Sequence, residues 1–390
     1  MTIRQNSLQF VPAQRKQGVT PRSTPGGFKL GIISKALMPL LLLGWAFASS
    51  ALGADLFVVA RLSDAVAVID DSTDQIITRI PVGNGPVRIT MSPDRLKAYV
   101  SNGAAGTVSV LDTVGLTTTA TIRVASNSRP QESAVTPDGG RLFLIHQKSP
   151  TVTVIDTATN QVITDVFIGG HQAKDILFTL DGRSAYVANY SQGVVNVIDA
   201  ATYQVRTIPT GAGPRRFAIS ASGNRVFVTN NNGASVSVID TGNQQVIATI
   251  PVGVKPRGIA ITPSGDAIYV GNVQDATVSV IDARTLTVIK TIPVGNKPWN
   301  VLFTQDGTLA FISSSVSGTV SVIDTATQEV IKTLETGDGS FFSAINPAGT
   351  KFYVSNSNDT TVSVVDIASL TVLDVIPDVG SYPFDMAFGP

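Results

Sequence analysis

The chain has 390 residues, with 28 Lys and Arg against 28 Asp and Glu, 34 Gly, 21 Pro and no Cys. The absence of cysteine excludes a disulfide framework, thiolate metal ligands and a cysteine nucleophile, and two histidines leave little room for a zinc site. Charged residues make up only 14% of the chain, where roughly 25% is usual, so the chain is unusually neutral. Its 43% hydrophobic residues and its 34 Gly indicate a globular, turn-rich protein.

The first 54 residues have the pattern of an export signal. They contain six basic residues and no acidic one, and an apolar run of 13 residues, Ala36 to Ala48, is followed by small residues up to Ala54. This order is typical of a secretory signal, and the run is shorter than the roughly 20 residues that span a bilayer. We predict that residues 1–54 are a cleaved signal peptide and that the exported protein, periplasmic or at the cell surface, keeps no membrane span. An uncleaved anchor is the alternative, because Pro39 interrupts the run.

Loss of the signal would change the charge of the protein. Six of the 28 basic residues and none of the 28 acidic residues would be removed, which leaves 22 basic residues and a net charge of −6. Because nucleic-acid binding relies on a surplus of Lys and Arg, we do not expect a nucleic-acid partner.

One unit of about 42 residues recurs eight times after residue 54. Its marker is two apolar residues followed by an aspartate, and successive markers are 42, 44, 43, 41, 42, 42 and 42 residues apart. Strings such as YVSN, YVAN, FVTN and YVGN recur with the same period. A fixed period of this length indicates a repeat architecture. The marker aspartates are Asp70, Asp112, Asp156, Asp199, Asp240, Asp282, Asp324 and Asp366.

Each unit reads as four short strands. In residues 255–295, the segments RGIAI, AIYVG, TVSVI and TVIKTI are β-rich, and turn sequences such as TPSG separate them. The connections are too short for parallel crossovers, so each unit is predicted to be an antiparallel meander. Radial repetition of such meanders gives a β-propeller. We predict an all-β propeller of eight four-stranded blades over residues 55–390, with seven blades as the alternative. Residues 383–388 match a first strand, so they should complete the N-terminal blade.

The repeat resembles a known family. The strings YVSN, YVAN, FVTN and YVGN, together with VSVIDTAT, TIPVG and PRGIAITPSG, are similar to the YVTN-family β-propeller repeat of surface-layer and periplasmic proteins. The resemblance covers essentially all of residues 55–390 and implies a propeller that is commonly seven-bladed, so eight blades would be a departure. The family is a scaffold with many functions, and the resemblance therefore implies fold rather than activity.

The start of each innermost strand should line the mouth of the central channel. Around the ring one arc is basic and the opposite arc is aromatic, and the next position adds Arg88, Asn300 and Phe342. The hypothesis is a site for a ligand with an anionic end and a flat apolar end. The alternative is that the arginines bond loop carbonyls and the aromatic rings fill the channel. The candidate binding residues are Lys174, Arg215, Arg216, Arg257, Trp299, Phe341 and Phe384.

The two histidines fall in one repeat. His146 replaces the Asn that ends the YVSN-type string, and His171 lies in the loop that leaves the same repeat. They are a candidate acid/base pair or a pair of metal or haem ligands; the alternative is two inert loop histidines. We expect the marker aspartates and those of the SPDG-type turns to cap turns, and the Asn residues of the YVSN-type strings to do the same.

The sequence leaves two classes of function open. The nucleophile elbow, the HExxH helix and the phosphate loop are absent from the chain. The main hypothesis is an exported, non-enzymatic scaffold that binds an envelope protein, a polymer or a small molecule, without a cofactor or metal and as a monomer. The alternative is an extracytoplasmic propeller enzyme or cofactor-binding protein, of the haem, metal or quinone type or similar to a lactonase.

Overall fold

The computed structural model describes residues 54–125 and 127–390. The predicted signal peptide lies outside the described residues, apart from Ala54. Within them the protein is all-β, with 32 strands in eight four-stranded antiparallel sheets. No helix in this part of the chain has the length and hydropathy needed to cross a membrane. The predicted fold class and the count of eight blades are therefore confirmed.

The strands of the first four units follow the 42-residue period. They are β1 (Leu56–Ala60), β2 (Ala65–Asp70), β3 (Gln75–Pro81), β4 (Pro86–Met91), β5 (Lys97–Asn102), β6 (Thr107–Asp112), β7 (Thr117–Arg123), β8 (Pro130–Val135), β9 (Arg141–His146), β10 (Thr151–Asp156), β11 (Gln161–Phe167), β12 (Ala173–Phe178), β13 (Ser184–Asn189), β14 (Val194–Asp199) and β15 (Val205–Pro209).

The remaining strands repeat the same order. They are β16 (Pro214–Ile219), β17 (Arg225–Asn230), β18 (Ser235–Asp240), β19 (Gln245–Pro251), β20 (Pro256–Ile261), β21 (Ala267–Asn272), β22 (Thr277–Asp282), β23 (Thr287–Pro293), β24 (Pro298–Phe303), β25 (Leu309–Ser314), β26 (Thr319–Asp324), β27 (Glu329–Glu335), β28 (Ser340–Ile345), β29 (Lys351–Asn356), β30 (Thr361–Asp366), β31 (Thr371–Ile376) and β32 (Pro383–Phe388).

The ring closes through the last strand. Blade 1 has the order β3-β2-β1-β32, and blades 2 to 8 are the consecutive groups β4–β7, β8–β11, β12–β15, β16–β19, β20–β23, β24–β27 and β28–β31. Strand β32 pairs antiparallel with β1, with Leu56 opposite Phe388 and Val58 opposite Met386. The predicted completion of the N-terminal blade by the C-terminal strand is therefore confirmed.

The hydrophobic core lies between neighbouring blades. The middle two strands of a blade are buried on both faces, because a blade packs on each side of them, whereas the outermost strand is largely exposed. Phe57 and Val66 of blade 1, for example, share one apolar cluster with Val100 and Leu111 of blade 2. Complete burial of a side chain such as Phe57 stabilises the fold by roughly 1.5–3 kcal/mol.

The marker aspartates cap turns, as predicted. The Asp70 carboxylate accepts the backbone N–H groups of Ser72 at 2.7 Å and Thr73 at 3.0 Å, and the other seven markers accept turn N–H groups in the same way. Hydrogen bonds to the ionised carboxylate, from Ser72 above all, lower the pKa of Asp70. These carboxylates are structural.

Basic side chains tie neighbouring blades together on the face opposite the channel mouth. Lys97 of blade 2 donates to the Thr157 carbonyl of blade 3 at 3.0 Å, and Arg225 of blade 5 donates to the Ala283 carbonyl of blade 6 at 2.8 Å. At the ring closure, Lys351 of blade 8 forms a 2.8 Å ion pair with Asp74 of blade 1. These three basic side chains thus hold neighbouring blades together.

Candidate functional site

The channel mouth is built from two sets of loops on one face of the ring. The loop before each innermost strand contacts the loop between the second and third strands of the same unit. In blade 2, the Gly103 N–H donates to the Gly85 carbonyl at 2.8 Å, and the Ala105 N–H donates to the Asn84 carbonyl at 3.0 Å. These bonds hold the first residues of the innermost strand at the rim.

Three cations of blades 4 to 6 lie at the mouth. Lys174, Arg215 and Arg257 are half-buried or buried, Arg257 being only 8% exposed. Within residues 54–125 and 127–390 none of the three forms an ion pair with a carboxylate. The arc therefore carries positive charge that the described part of the protein does not neutralise.

Burial shifts the protonation equilibria of this arc. It lowers the pKa of Arg215 to about 10, with the charge of Arg216 adding to the effect, and it lowers the pKa of Lys174, to which the Arg215 charge contributes. Arg215 still remains protonated at neutral pH, because its pKa stays well above 7. Lys174 Nζ also lies 5.3 Å from the centroid of the Tyr190 ring, within the range of a cation–π contact.

The aromatic arc adjoins the basic arc. The Arg257 guanidinium lies over the Trp299 ring, 3.0 Å from its centroid, in a cation–π contact. Trp299 meets Phe341 edge to face at a centroid distance of 4.8 Å, and Phe341 and Phe384 are 5.7 Å apart. The structure thus brings Arg257, Trp299, Phe341 and Phe384 together in one continuous surface.

An ion-pair network lies one residue deeper along the innermost strands, at the position of Arg88, Glu132 and Arg216. We call this level of the channel the throat. Glu132 of blade 3 pairs with Arg88 at 2.8 Å and with Arg216 at 2.9 Å. Arg216 also pairs with Asp175 at 3.2 Å, and Arg88 lies 3.6 Å from Asp385. The network therefore runs through blades 1 to 5. Arg216, a predicted residue of the mouth, is engaged in this network rather than free at the rim.

Sequence reasoning missed the acidic half of the throat. Glu132, Asp175 and Asp385 occupy the same position of the repeat as Arg88 and Arg216. Reading that position around the complete ring gives two Arg and three carboxylates among eight residues. The missed signal is this near balance of charge, which is typical of buried groups that pair with one another.

The three throat carboxylates differ in their pKa. Burial favours the protonated form of Glu132, but Arg88 and Arg216 outweigh it and lower its pKa. Burial raises the pKa of Asp175 to about 6 against the opposing effect of Arg216, and it raises the pKa of Asp385 to about 6 against that of Arg88. Both aspartates also accept backbone N–H groups of the next innermost strand. The residues of the network line a channel cavity of about 430 Å³ together with Trp299, Asn300 and Phe342.

The two histidines lie in different environments. His146 is fully buried, its Nε2 lies 2.8 Å from Thr153 Oγ1, and burial lowers its pKa to about 4. His171 is exposed, and only its backbone is bonded, to Ser191. Within the described residues the two imidazoles are not hydrogen-bonded to each other. Their role as an acid/base pair or a ligand pair stays a prediction.

The Asn residues of the YVSN-type strings bond to a strand rather than to a turn. Asn230 Nδ2 donates to Ser235 Oγ at 3.0 Å and to Ser237 Oγ at 2.9 Å, both on β18. The prediction that these residues cap the next turn is therefore wrong, because their buried amides bond to side chains of the third strand. In blade 4 the partner on that strand is the Asn196 amide oxygen, and Asn189 also donates to the Gly169 carbonyl of the preceding loop. His146 makes the corresponding bond to Thr153 in blade 3. In residues 54–125 and 127–390, no group of three or more His, Cys, Asp and Glu side chains has a geometry that could hold a metal ion.

Two protein families match parts of the chain. Residues 215–301 match the family described as cytochrome D1 heme domain, and residues 112–249 match the family described as lactonase, 7-bladed beta-propeller. The uncharacterized protein YncE of Salmonella typhimurium (strain LT2) and that of Salmonella typhi are each 27% identical over 170 residues, which is 42% of this chain and 47% of the relative. The chain thus matches about half the length of these curated relatives.

Several solved structures are similar to this chain. Dihydro-heme d1 dehydrogenase NirN in complex with DHE has a TM-score of 0.73 at 19% identity, over 88% of this chain and 76% of that chain. The hydrazine synthase of Kuenenia stuttgartiensis has a TM-score of 0.59 at 24% identity, over 73% and 96%. A functionally unknown protein from Desulfotomaculum acetoxidans has a TM-score of 0.58 at 17% identity, over 86% and 98%. At these identities the similarity shows the fold alone: the protein is a β-propeller, and membership of the YVTN family stays a prediction.

Proposed function

We propose that this protein is a cofactor-binding β-propeller whose channel mouth holds a planar ligand with several carboxylates, of the tetrapyrrole class. The observation that carries the proposal is the composition of the mouth. Cations that have no carboxylate partner within the described residues lie beside a cluster of aromatic rings, and both are held on the innermost strands. Charged groups that are partly buried and unpaired gain most from a ligand of opposite charge.

The comparisons favour this alternative over a scaffold without a cofactor. Arg215, Arg257 and Trp299 all lie in the segment that matches the cytochrome D1 heme domain family. The solved structure with a TM-score of 0.73 is described as dihydro-heme d1 dehydrogenase NirN in complex with DHE. The sequence alone predicts no cofactor, because the relevant residues are shared among three blades and form no contiguous motif.

The residues of the mouth fit such a ligand in charge and in shape. Carboxylates would pair with Lys174, Arg215 and Arg257, and the ring would pack on the surface formed by Trp299 and Phe341. Trp299 Nε1 is buried without a hydrogen-bond partner in the described residues, so an acceptor atom of the ligand would satisfy it. His171 is an exposed imidazole on the same face. A bound metallotetrapyrrole would supply redox or Lewis-acid chemistry.

Tryptophan fluorescence tests the proposal directly. The chain has two Trp, so the variant Trp45→Phe leaves Trp299 as the sole reporter in the full-length protein. Protoporphyrin IX, which has two free carboxylates and no metal, should quench Trp299 on binding, and its dimethyl ester should bind at least about tenfold more weakly. Arg215→Ala should weaken binding by a similar factor, because it removes one charge-assisted pair.

A matched variant controls for unspecific effects of charge. Arg206 is exposed on the outermost strand of blade 4, away from the mouth, and Arg206→Ala should leave the affinity unchanged. Equal binding of the acid and the ester, or equal loss in Arg206→Ala and Arg215→Ala, would overturn the proposal.

We also infer that the protein acts outside the cytoplasm, on the basis of the sequence pattern of residues 1–54. N-terminal sequencing of the protein recovered from a native cell envelope should start near residue 54. Recovery of an intact Met1 would contradict cleavage.

A further inference from the structure

A second cavity lies on the same face, at the junction of blades 2 and 3. Its volume is about 610 Å³, and Arg123, Arg129 and Lys148 are the charged residues that line it. None of the described residues that line it is acidic. It shares Gly103, Ala104 and Arg129 with a cavity of about 360 Å³ next to the mouth. We call this site the blade 2–3 groove.

The blade 2–3 groove arises where the sequence departs from its own repeat. The interval from Asp112 to Asp156 is 44 residues, the longest of the seven. The loop between the second and third strands of blade 2 is Gly-Ala-Ala-Gly, at residues 103–106, and it is the only one of the eight that lacks a side chain longer than alanine. Arg123 stands where most units have the Pro of the TIPVG string. A longer loop, a loop of small residues and an added cation thus coincide at one place.

The cations of the groove have no partner in the described part of the chain. Within residues 54–125 and 127–390, neither Arg123, Arg129 nor Lys148 forms an ion pair, and all three are exposed. The cations that tie blades together on the opposite face, such as Lys97 and Arg225, do have carbonyl partners. The groove cations are therefore not used to assemble the ring.

The backbone holds two of these cations on adjacent segments. The Gln147 N–H donates to the Arg129 carbonyl at 2.9 Å, and the Lys148 N–H donates to the Ser128 carbonyl at 2.9 Å. On the other wall, the Val124 N–H donates to the Gly106 carbonyl at 3.2 Å, which anchors the segment that carries Arg123. A cleft lined by charge of one sign concentrates ligands of the opposite charge.

We propose that the blade 2–3 groove is a binding site for a compact, multiply charged oxyanion, separate from the channel mouth. Each of the two guanidinium groups can donate a pair of parallel hydrogen bonds to a phosphate or carboxylate group, and the ammonium group adds a compact positive charge. The cavity has the size of a small-molecule site. The proposal depends on residues other than those of the mouth, so it stands or falls independently of the proposed cofactor.

Calorimetric titration of the full-length protein with inorganic tripolyphosphate and with citrate tests the proposal. At least one should bind, more weakly as the salt concentration rises, and the one that binds identifies a phosphate or a carboxylate as the preferred group. Arg123→Glu should weaken binding at least about tenfold, and Lys148→Glu should do the same if Arg123→Glu folds poorly.

Two matched variants decide between the groove and other sites. Arg206→Glu makes the same change of charge on an exposed strand of blade 4, and Trp299→Ala alters the mouth; both should leave the affinity unchanged. Absence of binding for both probes, or equal weakening by Arg206→Glu and Arg123→Glu, would overturn the proposal. If the parent protein binds tripolyphosphate but not protoporphyrin IX, the proposed cofactor site at the mouth is refuted and the proposal for the groove stands.

Discussion

Blades 2 and 7 each carry a groove at the same position of the repeat, and the two grooves have opposite charge. In blade 7 the corresponding groove has a volume of about 390 Å³, and its lining includes Glu335 and Asp338. Arg123 pairs in register with Thr107 of the neighbouring strand, and Glu335 pairs in register with Thr319. The backbone position is therefore the same, and the two grooves differ in the sign of their charged side chains.

This difference shows what the repeat does and does not determine. The strands and the capping aspartates recur in every blade, because they build the core and the turns. The ends of the outermost strands and the mouth loops contribute little to the core, so they are free to vary. The same contrast recurs at the throat position, which is charged in blades 1 to 5 and uncharged in blades 6 to 8. At the mouth position the charged residues lie in blades 4 to 6, and blades 7 and 8 carry Trp299 and Phe341.

The largest effect is expected at the throat, on the charged side of the ring. Glu132→Ala would leave Arg88 and Arg216 without their shared carboxylate, and breaking a buried ion pair costs about 3–5 kcal/mol. We expect this loss in the free energy of unfolding, measured by denaturant titration. The free energy of unfolding should fall somewhat less in Glu132→Gln, because the amide oxygen of the new side chain still accepts hydrogen bonds.

A surface ion pair on the other side of the ring gives the control for this prediction. Glu329 of blade 7 lies 3.8 Å from Lys290, and their side chains are 71% and 38% exposed. Exposed pairs contribute about 0–1 kcal/mol, so Glu329→Ala should change stability little. Similar losses in the two alanine variants would contradict the view that the throat network is a buried, coupled unit.

The throat should also make stability depend on pH. The folded protein raises the pKa of Asp175 from its ordinary value of 3.8 to about 6, so between these values it binds more protons there than the unfolded chain does. The protonated Asp175 therefore stabilises the folded protein fully below pH 3.8, and this contribution is lost as the pH rises through about 6. Asp175→Asn keeps an acceptor for the Phe217 N–H and removes the titration. The melting temperature of this variant relative to the parent should therefore rise with pH, and a relative value that falls with pH would contradict the assignment.

The fold was predictable because its signals repeat. The marker aspartates and the YVSN-type strings each report the same local structure eight times, and residues 383–388 matched a first strand well enough to predict the closure of the ring. The mouth was predictable in part, because counting one residue into each innermost strand identified Lys174, Arg215, Arg257 and Trp299.

The remaining features of the site depend on distances that the sequence does not encode. Arg216 looked equivalent to Arg215, but neighbouring residues of a strand point to opposite sides, and Arg216 meets Glu132 from blade 3 and Asp175 from blade 4. The Asn amides bond to side chains of the third strand rather than to the turn that follows them. The positive charge of the blade 2–3 groove could not be predicted from the sequence, because only the structure shows that Arg123 and Arg129 line one cavity.

Transfer of charge between the two grooves tests the comparison itself, with the smallest expected effect. Glu335→Arg places a cation at the position in blade 7 that Arg123 occupies in blade 2, and with Asp338→Asn it removes both carboxylates of that groove. Because blade 7 lacks the longer loop, the small-residue loop and the neighbouring Arg129 and Lys148, the double variant should gain only weak tripolyphosphate binding, detectable at low salt. A site as strong as that of blade 2, measured in the background of Arg123→Glu, would mean that a single cation suffices and that the departures from the repeat in blade 2 do not build the site.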